Sequence, residues 1–566
     1  MLGLGLGIGG AQVSPLSRYR IAGKSPAVVA DFANGVYAAA GRGVAFDSLF
    51  DFSRLSAAWK LDALGNSVKV AAGEPRTGHH IWKDGELVPA GVAVCSTTRT
   101  NALRYSQALG QSSGWYGSGS ITVAVSGALA GITAFRIGDT SDSSYATLNQ
   151  SIPATSAGGV WSTQMLVKKE ASVAGAFGAR LTWVGSATNY SGISFDASTG
   201  AIDAGIWDTG IIERKVEDRG DHWFVWFAAN LTGIDGTGSL QLFPTHGAVG
   251  SGSSNSATGY HTCTAFQVNE GKYPTEYIPT DAATVTVAAE TLQINKAALA
   301  LAIGSPGPEL YDYGNVTDDS SAGGSVNVAG DAITVINTSG TARASNNLTY
   351  EEGETYLLEF TSSGAPMGVY HGGSLALGTL ADGKNSLMFV ASSDSNQVGF
   401  RNFNDGTVGQ VSGVSLRKVS MPSNIAFVLE LDLTYEISGG FNTAKLVSWK
   451  DNSSGDNFEI SLDTSGAETG EANFKLRVGE EFDTCRSVTT AYAPGLNMPM
   501  MLAAQGKPAS LKGAYEGNLT LEADFTTWPN LIASTFDLIP IGNANVKRFL
   551  VFADVVGDAG LTEAST

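Results

Sequence analysis

The chain has 566 residues, of which 43% are hydrophobic and only 15% are charged, and its formal net charge is −19. This length predicts about three or four domains. The acidic surface disfavours binding to nucleic acid and to anionic membranes, and no apolar run reaches the length of a membrane span. We therefore expect neither nucleic-acid binding nor membrane insertion.

The first 45 residues show no sustained hydrophobic period, which predicts an extended N-terminal arm. The opening MLGLGLGIGG lacks the basic region of a signal peptide. Its glycine pattern also lacks the preceding strand that a dinucleotide-binding turn requires. Residues 46–105 predict a hairpin-rich connecting segment, because KDGE at 83–86 is a strong turn signal between apolar flanks.

Residues 106–285 predict a β-sandwich. The segment DHWFVWFAANL is apolar on both faces, with Trp223, Val225 and Phe227 on one face and the two aromatic residues between them on the other. A strand of this kind belongs in the middle of a two-layer stack. Turns rich in Gly, Ser, Asn and Asp separate such strands, as is typical of a sandwich.

Residues 286–306 predict a linker with a short helix, because Ala, Leu and Ile recur at helical spacing before the stop signal GSPGP. Strand-rich blocks follow at 307–420 and at 421–566. The predicted fold class is therefore all-β, with several tandem β-sandwich domains.

The three cysteines, Cys95, Cys263 and Cys485, are odd in number and far apart in the sequence. Their spacing matches neither a disulfide framework nor a metal-binding motif. We expect reduced, structural cysteines in a protein that folds in a cytosol.

The motifs DFSRLSAAW, EPRTGHHIWKDGELVPAGVAV and TTRTNALRYSQALGQSSGWY resemble the head of a widespread family of bacteriophage, or gene-transfer-agent-like, structural proteins. In that family an RTN segment opens a jelly roll that resembles a carbohydrate-binding module. FQVNEGKYPTEYIPT is similar to the acidic signature that ends such a jelly roll. The matching residues are Arg54, Pro75, Arg76, Arg99, Thr100, Asn101, Tyr105, Ser106, Trp115, Gln267, Glu270, Gly271, Tyr277, Ile278, Pro279 and Thr280.

Two later segments extend the resemblance. SGVSLRKV at 412–419 is similar to the last strand of a second module of the carbohydrate-binding type. LIPIGNANVKRFLVFADVVGDAGLTE resembles the end of a concanavalin A-like or laminin-G-like sandwich. The resemblance implies a virion spike or fibre that assembles in the host cytoplasm, with the arm at 1–45 bound to other virion proteins and the sandwiches directed at host-surface polysaccharide. It also implies a homo-oligomer, often a trimer, although the sequence contains no heptads that would show one.

The segment 269–286 combines large apolar side chains with two prolines, which lack ladder donors and do not fit a central strand. We interpret it as a structural closure in which Tyr273, Tyr277 and Pro279 lie across an open end of the jelly roll. The alternative is an ordinary proline-containing linker.

Aromatic side chains near turns are candidates for stacking on sugar rings. Tyr190 in TNYSG, Trp207 with Asp208 in GIWDTG, and Trp449 are the candidate carbohydrate-binding residues. Core packing is the alternative for each aromatic residue, because most tryptophans of a sandwich are buried.

The segment DNSSGDN at 451–457 supplies oxygen ligands of the kind that Ca²⁺ prefers, and it predicts a structural calcium site at Asp451 and Asp456. The same residues are also ordinary turn formers. No other cofactor is expected.

Catalytic patterns are weak. No pair of carboxylates stands out for glycoside hydrolysis, since EFD at 481–483 reads equally as a solvated face. No G-x-S-x-G motif occurs, and His79 with His80 fits a surface hairpin better than a metal or acid–base site. We therefore predict attachment by non-catalytic binding. A purely architectural virion protein and a glycan-degrading tailspike depolymerase are the alternatives.

Overall fold

The computed structural model describes residues 15–110, 114–152, 159–170, 175–232, 237–247, 249, 257–348, 350–371, 382–391, 397–437, 443–465, 470–486, 492–524 and 528–566. Strands dominate this part of the chain, which confirms the all-β class. The helices are α1 (Phe46–Leu49), α2 (Lys296–Ile303) and α3 (Gly557–Ala564), with 3-10 turns at Pro15–Tyr19 and Tyr313–Asn315. No helix among the described residues is long and apolar enough to cross a membrane.

The strands fall into four consecutive groups. Before the first sandwich lie β1 (Val28–Asp31), β2 (Val36–Ala39), β3 (Arg42–Gly43), β4 (Phe50–Ser53), β5 (Ala58–Leu61), β6 (Ser67–Val70), β7 (Arg76–Lys83), β8 (Glu86–Cys95) and β9 (Arg99–Asn101). The first sandwich contains β10 (Tyr116–Ser118), β11 (Ile121–Leu129), β12 (Ile132–Asp139), β13 (Thr147–Ile152), β14 (Val160–Lys168), β15 (Phe177–Val184), β16 (Thr188–Phe195), β17 (Ile211–Asp218), β18 (His222–Asn230), β19 (Thr237–Phe243) and β20 (Gly259–Glu270). Then come β21 (Val285–Val287), β22 (Thr291–Ile294), β23 (Ser305–Glu309), β24 (Val316–Asp318), β25 (Gly324–Ala329), β26 (Ala332–Asn337), β27 (Ala342–Asn347), β28 (Thr355–Gly364), β29 (Met367–His371), β30 (Gly383–Val390), β31 (Gln397–Asn402) and β32 (Thr407–Ser420). The last group is β33 (Ile425–Tyr435), β34 (Thr443–Lys450), β35 (Asn457–Asp463), β36 (Ala472–Val478), β37 (Glu481–Arg486), β38 (Gly495–Lys507), β39 (Ser510–Tyr515), β40 (Asn518–Leu519), β41 (Thr535–Ile541) and β42 (Asn543–Phe552).

The first sandwich packs a five-stranded sheet, in the order β10-β13-β19-β15-β16, on a six-stranded sheet, in the order β11-β12-β20-β14-β18-β17. Both faces of β18 are buried, as its sequence predicted. Val225 and Phe227 lie in the core between the sheets. Phe224 and Trp226 lie on the outer face, in a separate cluster with Tyr273.

The second sandwich is built from β23 to β32. Its larger sheet has the order β25-β26-β32-β28-β30 with β23 beside β32, and its smaller sheet has the order β24-β27-β31-β29. Their shared core includes Tyr356, Phe400 and Leu416, all buried.

The last sandwich is composite, because distant parts of the chain build it. Its ten-stranded sheet joins β1, β2, β3, β7 and β8 to β33, β38, β39, β40 and β42, and its seven-stranded sheet joins β4 and β22 to β34, β35, β36, β37 and β41. β1 pairs with residues 548–551 of β42, and β8 pairs with residues 543–546.

This pairing corrects the prediction of an extended arm and connecting segment. Val28, Val29 and Ala30, expected in the arm, are buried in the composite sandwich. The strand VVAD is too short to show a hydrophobic period in the sequence. The prediction of an extended arm therefore rested on composition alone. Residues 1–14 of the predicted arm lie outside the described residues.

The predicted linker 286–306 is also part of the composite sandwich. β22 lies between β41 and β4, and the predicted helix is α2, whose Leu299 and Ile303 are buried in the composite core. Asn295 caps α2, since its side chain accepts hydrogen bonds from the N–H groups of Ala297 and Ala298, both at 3.1 Å. These contacts leave no free linker in this segment.

A buried network of three arginines and two glutamates joins the first sandwich to the composite one. Glu290 accepts from Arg54 Nη1 at 2.8 Å and from Arg76 Nε at 2.9 Å. Glu276 accepts from Arg99 Nε at 2.8 Å and lies 3.2 Å from Arg76 Nη1. Burial opposes ionisation of Glu276, but Arg99 and Arg76 outweigh it and lower the pKa of this carboxyl group. We call these five residues the Arg–Glu network.

The two segments on which the family resemblance rests most, RTN and YIPT, contact each other. Asn101 Nδ2 donates to the carbonyls of Ile278 at 2.8 Å and Phe266 at 3.2 Å. Asn101 Oδ1 accepts from Leu103 N at 3.1 Å and Val268 N at 3.3 Å. The side-chain amide of Asn101 therefore links the segment that leads into the first sandwich to the segment that leads out of it.

Cys95, Cys263 and Cys485 are free and buried. Their reduced state stays a prediction.

Candidate functional site

The outer face of the five-stranded sheet carries a group of exposed polar and aromatic side chains. In β15, Ala179 and Leu181 point into the core, so Arg180 between them points outward. Register places Gln241 of β19 directly beside Arg180. We call the surface formed by Tyr116, Arg180, Tyr190, Trp207 and Gln241 the open face.

Arg180 is the centre of the open face. Its Nε donates to Gln241 Oε1 at 2.8 Å. Its guanidinium lies 4.1 Å from the ring centre of Tyr190 and 5.2 Å from that of Trp207. Burial of the guanidinium lowers its pKa from the ordinary value. The two predicted aromatic residues, Tyr190 and Trp207, are thus brought together around one cation that sequence reasoning did not select.

The loop that carries Trp207 is held in a strained conformation. Trp207 has φ of 53°, in the left-handed region that an aromatic residue rarely adopts. Arg214 stabilises this loop by donating to the carbonyls of Ile206 at 2.6 Å and Trp207 at 3.0 Å. The ring of Trp207 packs against Phe243, with centroids 4.9 Å apart. These contacts preorganise the Trp207 ring at the edge of the open face.

Asp208, the third predicted residue of this group, is occupied by the same arginine. Arg214 Nη2 lies 2.5 Å from Asp208 Oδ1. The carboxylate of Asp208 therefore helps to hold the loop that positions Trp207. It contributes to the open face only by fixing that neighbouring ring.

The open face is partly exposed to solvent. Tyr116 is 52% exposed and Tyr190 is 37% exposed, while Trp207 is half-buried. Between Tyr116 and Gln241 lies Asn149, whose buried Oδ1 has no hydrogen-bond partner among the described residues. Flat aromatic rings beside amide and guanidinium groups form a surface that can hold a polyhydroxylated ring by stacking and by hydrogen bonds.

Trp449 was predicted as a carbohydrate-binding residue, and this prediction is wrong. Its exposed fraction is 0%, and its ring packs against Phe536 and Phe427 in the core of the composite sandwich. The turn that begins at Asp451 suggested exposure, but β34 is an interior strand whose residue 449 points inward. Trp115 and Trp161 are core residues of the first sandwich.

The predicted calcium ligands are engaged in turn hydrogen bonds. Asp451 Oδ1 accepts from Ser453 N at 2.9 Å, and its Oδ2 accepts from Ser454 Oγ at 2.9 Å. Asp456 Oδ1 accepts from Gly479 N at 2.7 Å. Within the described part of the chain, no group of three His, Cys, Asp or Glu side chains is arranged to hold a metal ion. A structural calcium here stays a prediction, which a comparison of melting temperatures in EDTA and in Ca²⁺ tests.

The residues of the predicted closure lie over the six-stranded sheet. Tyr273 is buried against Trp226, with centroids 6.1 Å apart. The hydroxyl of Tyr277 lies 2.8 Å from Ser106 Oγ. Pro279 is half-buried between Ile278 and Thr280, both buried. Tyr273 therefore covers part of an outer sheet face, and the closure of an open end of the jelly roll stays a prediction.

The two histidines of the β7–β8 hairpin, His79 and His80, lie in different environments. His79 is buried, and its Nδ1 accepts from Leu61 N at 3.2 Å, whereas the neighbouring His80 is partly exposed. Burial lowers the pKa of His79 to about 3. His79 is therefore neutral and structural at physiological pH.

The sequence predicts only part of the open face. The alternation of ARLTWVG placed Leu181 and Trp183 in the core and therefore left Arg180 on the other side. Its pairing with Gln241 depends on the register of two strands about 60 residues apart, which no local pattern specifies.

Comparison with known proteins gives only distant similarities. No protein-family model and no curated protein matches the chain. Among solved structures, the CBM40 of the Ruminococcus gnavus IT-sialidase bound to alpha2,6 sialyllactose is 16% identical, over 25% of this chain and 84% of that chain, with a TM-score of 0.21. The CBM22-1-CBM22-2 tandem domain of Paenibacillus barcinonensis Xyn10C is 10% identical, over 58% of this chain and 99% of that chain, with a TM-score of 0.21. The carbohydrate binding module CBM66 from Bacillus subtilis is 12% identical, over 24% and 78%, with a TM-score of 0.15. The fold assignment rests on the strand pairing described above, and none of these neighbours identifies a ligand for this chain.

Proposed function

We propose that the chain binds glycan, without cleaving it, through the open face of its first sandwich. The observation that carries this proposal is the convergence of Tyr190 and Trp207 on the Arg180–Gln241 pair at an exposed sheet surface. The rings supply stacking surfaces, and the amide and guanidinium groups supply donors and acceptors for hydroxyl groups. The loop contacts of Arg214 reduce the ordering cost of binding, because the Trp207 ring is already in place.

We further propose that this binding serves a tailed phage or phage-like particle, in which the chain is a spike or fibre component that attaches to host-surface polysaccharide. The resemblance of the RTN and YIPT segments supports this setting, and its residues form one connected set of contacts through Asn101, Arg99 and Glu276. Contact with other virion proteins is assigned to the N-terminal region, and a homo-oligomer on a multivalent particle would raise the avidity of weak single contacts.

A glycan array with the full chain tests the binding function. The full chain is required, because a fragment of residues 424–566 would lack the strands that the N-terminal region contributes to the composite sandwich. We expect retention on a subset of glycans, reduced at least tenfold by Tyr190→Ala. Phe482→Ala is the matched control, since Phe482 is an exposed aromatic residue, 73% exposed, on another sandwich. Equal retention of wild type and Tyr190→Ala would contradict the assignment to the open face.

Two measurements separate this function from its rivals. A depolymerase would lower the viscosity of the retained polysaccharide and release reducing ends, whereas we expect neither. An architectural protein would retain no glycan and would still be required for particle assembly.

The virion setting has its own test. We expect the chain to appear in particles purified by density gradient from a lysate of the host that encodes it, and an antibody against the first sandwich is expected to block adsorption. Absence from such particles would contradict the virion setting and leave glycan binding untouched.

A further inference from the structure

A cleft of about 770 Å³ lies on the opposite side of the first sandwich, over the outer face of the six-stranded sheet. Its floor is formed by Gln164 and Leu166 of β14 and by His222 and Phe224 of β18. The hairpin β7–β8 forms one wall through Trp82, and the composite sandwich forms another through Asn497. Three separate parts of the chain therefore enclose this space, and the open face contributes nothing to it.

Two buried side chains of the floor carry acceptor atoms that the protein does not use. Gln164 is 3% exposed and His222 is 4% exposed. Among the described residues, neither Gln164 Oε1 nor His222 Nε2 has a hydrogen-bond partner. His222 Nδ1 lies 2.6 Å from Asp221 Oδ1, and because a carboxylate only accepts, the proton is on Nδ1 and Nε2 offers a lone pair. A buried polar atom without a partner costs stability, and a hydroxyl group that donates to it would remove that cost.

The cleft also offers a donor and aromatic surfaces. Arg219 lies with its guanidinium 3.8 Å from the ring centre of Phe224, and its Nε has no partner within the described part of the chain. The ring of Trp82 stands edge-on to His222, with centroids 6.3 Å apart. The side chains that carry these acceptors and this donor line the same space as the aromatic rings.

The charged groups around the cleft are largely paired with one another. Lys215 and Arg219 each lie 3.7 Å from Glu217, and Asp218 is paired with Lys169. Of the other charged side chains that line the cleft, Lys83 and Asp84 are chain neighbours of opposite sign, and Lys60 donates to the carbonyl of Thr77. Hydroxyl groups can both donate to acceptors such as those of Gln164 and His222 and accept from Arg219.

We propose that this cleft is a second binding site, independent of the open face, that takes a neutral polyhydroxylated ligand of the size of a mono- or disaccharide. The volume lies within the range of small-molecule sites in proteins, and the mixture of aromatic walls with a few unpaired polar atoms is typical of such sites.

The test uses the full chain labelled with 5-fluorotryptophan and followed by ¹⁹F NMR. Trp82 reports on the cleft and Trp207 on the open face, and each resonance is assigned by its Trp→Phe variant. The probes are methyl α-D-glucopyranoside, methyl α-D-mannopyranoside, methyl β-D-galactopyranoside and lactose, each titrated to 100 mM. We expect the Trp82 resonance to move saturably with at least one of them, and Gln164→Met to weaken that titration at least tenfold while leaving any movement of Trp207 unchanged.

The same variant excludes a purely structural role. Because Gln164→Met removes an unpaired buried acceptor, we expect the melting temperature without sugar to stay the same or to rise. A lower melting temperature would show that Gln164 serves the fold and would overturn the proposal. A Trp82 resonance that no probe moves would also overturn it. Movement of Trp207 alone would leave the proposed function standing, and movement of Trp82 alone would support the cleft while contradicting the open face.

Discussion

The two outer faces of the first sandwich differ in what covers them. On the six-stranded sheet, Phe224 and Trp226 are buried beneath Tyr273 of the closure segment. On the five-stranded sheet, the rings of Tyr190 and Trp207 pack on Arg180, and Tyr190 remains 37% exposed. Both faces carry aromatic side chains, so aromatic content alone does not distinguish a packing surface from a binding surface.

The difference arises from the segments that follow and precede the sandwich. The exit segment turns back over β18, and the Arg–Glu network fixes it to the hairpin β7–β8. Over the five-stranded sheet, the loop that carries Trp207 covers Gly178 and Phe243 and is held by Arg214, but Tyr116 and Tyr190 stay exposed. Trp226, which Tyr273 of the exit segment covers, should therefore determine stability, whereas the exposed Tyr190 should determine binding.

The largest expected loss of stability comes from removing a charge from the Arg–Glu network, which fixes the exit segment over β18. We expect Glu290→Gln to lower the free energy of unfolding by about 3–5 kcal/mol, because the buried guanidinium groups of Arg54 and Arg76 lose their counter-charge. Calorimetry and urea unfolding measure the loss. Glu480→Gln, at an exposed turn, is the matched control and should change little. A loss no greater than that of the control would show that the network does not hold the cover.

A similar effect is expected from the covered face itself. Trp226→Ala should cost about 3–5 kcal/mol, because it leaves a cavity between β18 and Tyr273. Urea unfolding followed by circular dichroism measures the change. If glycan retention through the open face stays normal at low temperature while stability falls, the two faces act separately; a parallel loss of both would contradict that separation.

The covered side should also respond to pH. The pKa of buried His79 is lowered from 6.5 to about 3, so the unfolded chain binds a proton more readily than the folded chain between these values. The contribution of neutral His79 is therefore complete above pH 6.5 and is lost as pH falls, by about 2 kcal/mol at pH 5. His79→Asn should flatten the decline in melting temperature between pH 7.5 and pH 5. The neighbouring His80→Asn should not, and equal slopes for both variants would contradict the role of His79.

The smallest effect on stability is expected on the open face. Tyr190→Ala should change the free energy of unfolding by no more than about 0.5 kcal/mol, because the side chain is exposed and packs mainly on Arg180. Thermal unfolding measures this change on the same sample used for the glycan array. A cost comparable to that of Trp226→Ala would assign Tyr190 to packing and remove the contrast between the faces.

Local patterns were sufficient for some of this organisation. The alternation around Trp223 and Phe224 predicted a strand buried on both faces, and the prolines at 274 and 279 predicted a segment outside the sheet ladder. The helix before GSPGP was predicted for the same reason, since its period and its stop signal are both local.

Other features depend on partners far away in the sequence. Val28 to Ala30 gain their burial from β42, and Trp449 gains its burial from Phe536, so neither environment is encoded near the residue itself. The open face lies between these cases: Tyr190 and Trp207 were visible as turn-proximal aromatic residues, but Arg180 and Gln241 meet only through strand register.

The composite sandwich imposes an order on biosynthesis. Because β1 pairs with β42, β1 must wait for a partner that is synthesised after all the strands of the first and second sandwiches. The apolar residues of VVAD remain without their partner during that interval and are a natural target for chaperones. A nascent chain that stops before β42 would carry two sandwiches with all their strands and a composite sandwich that lacks one of its central strands.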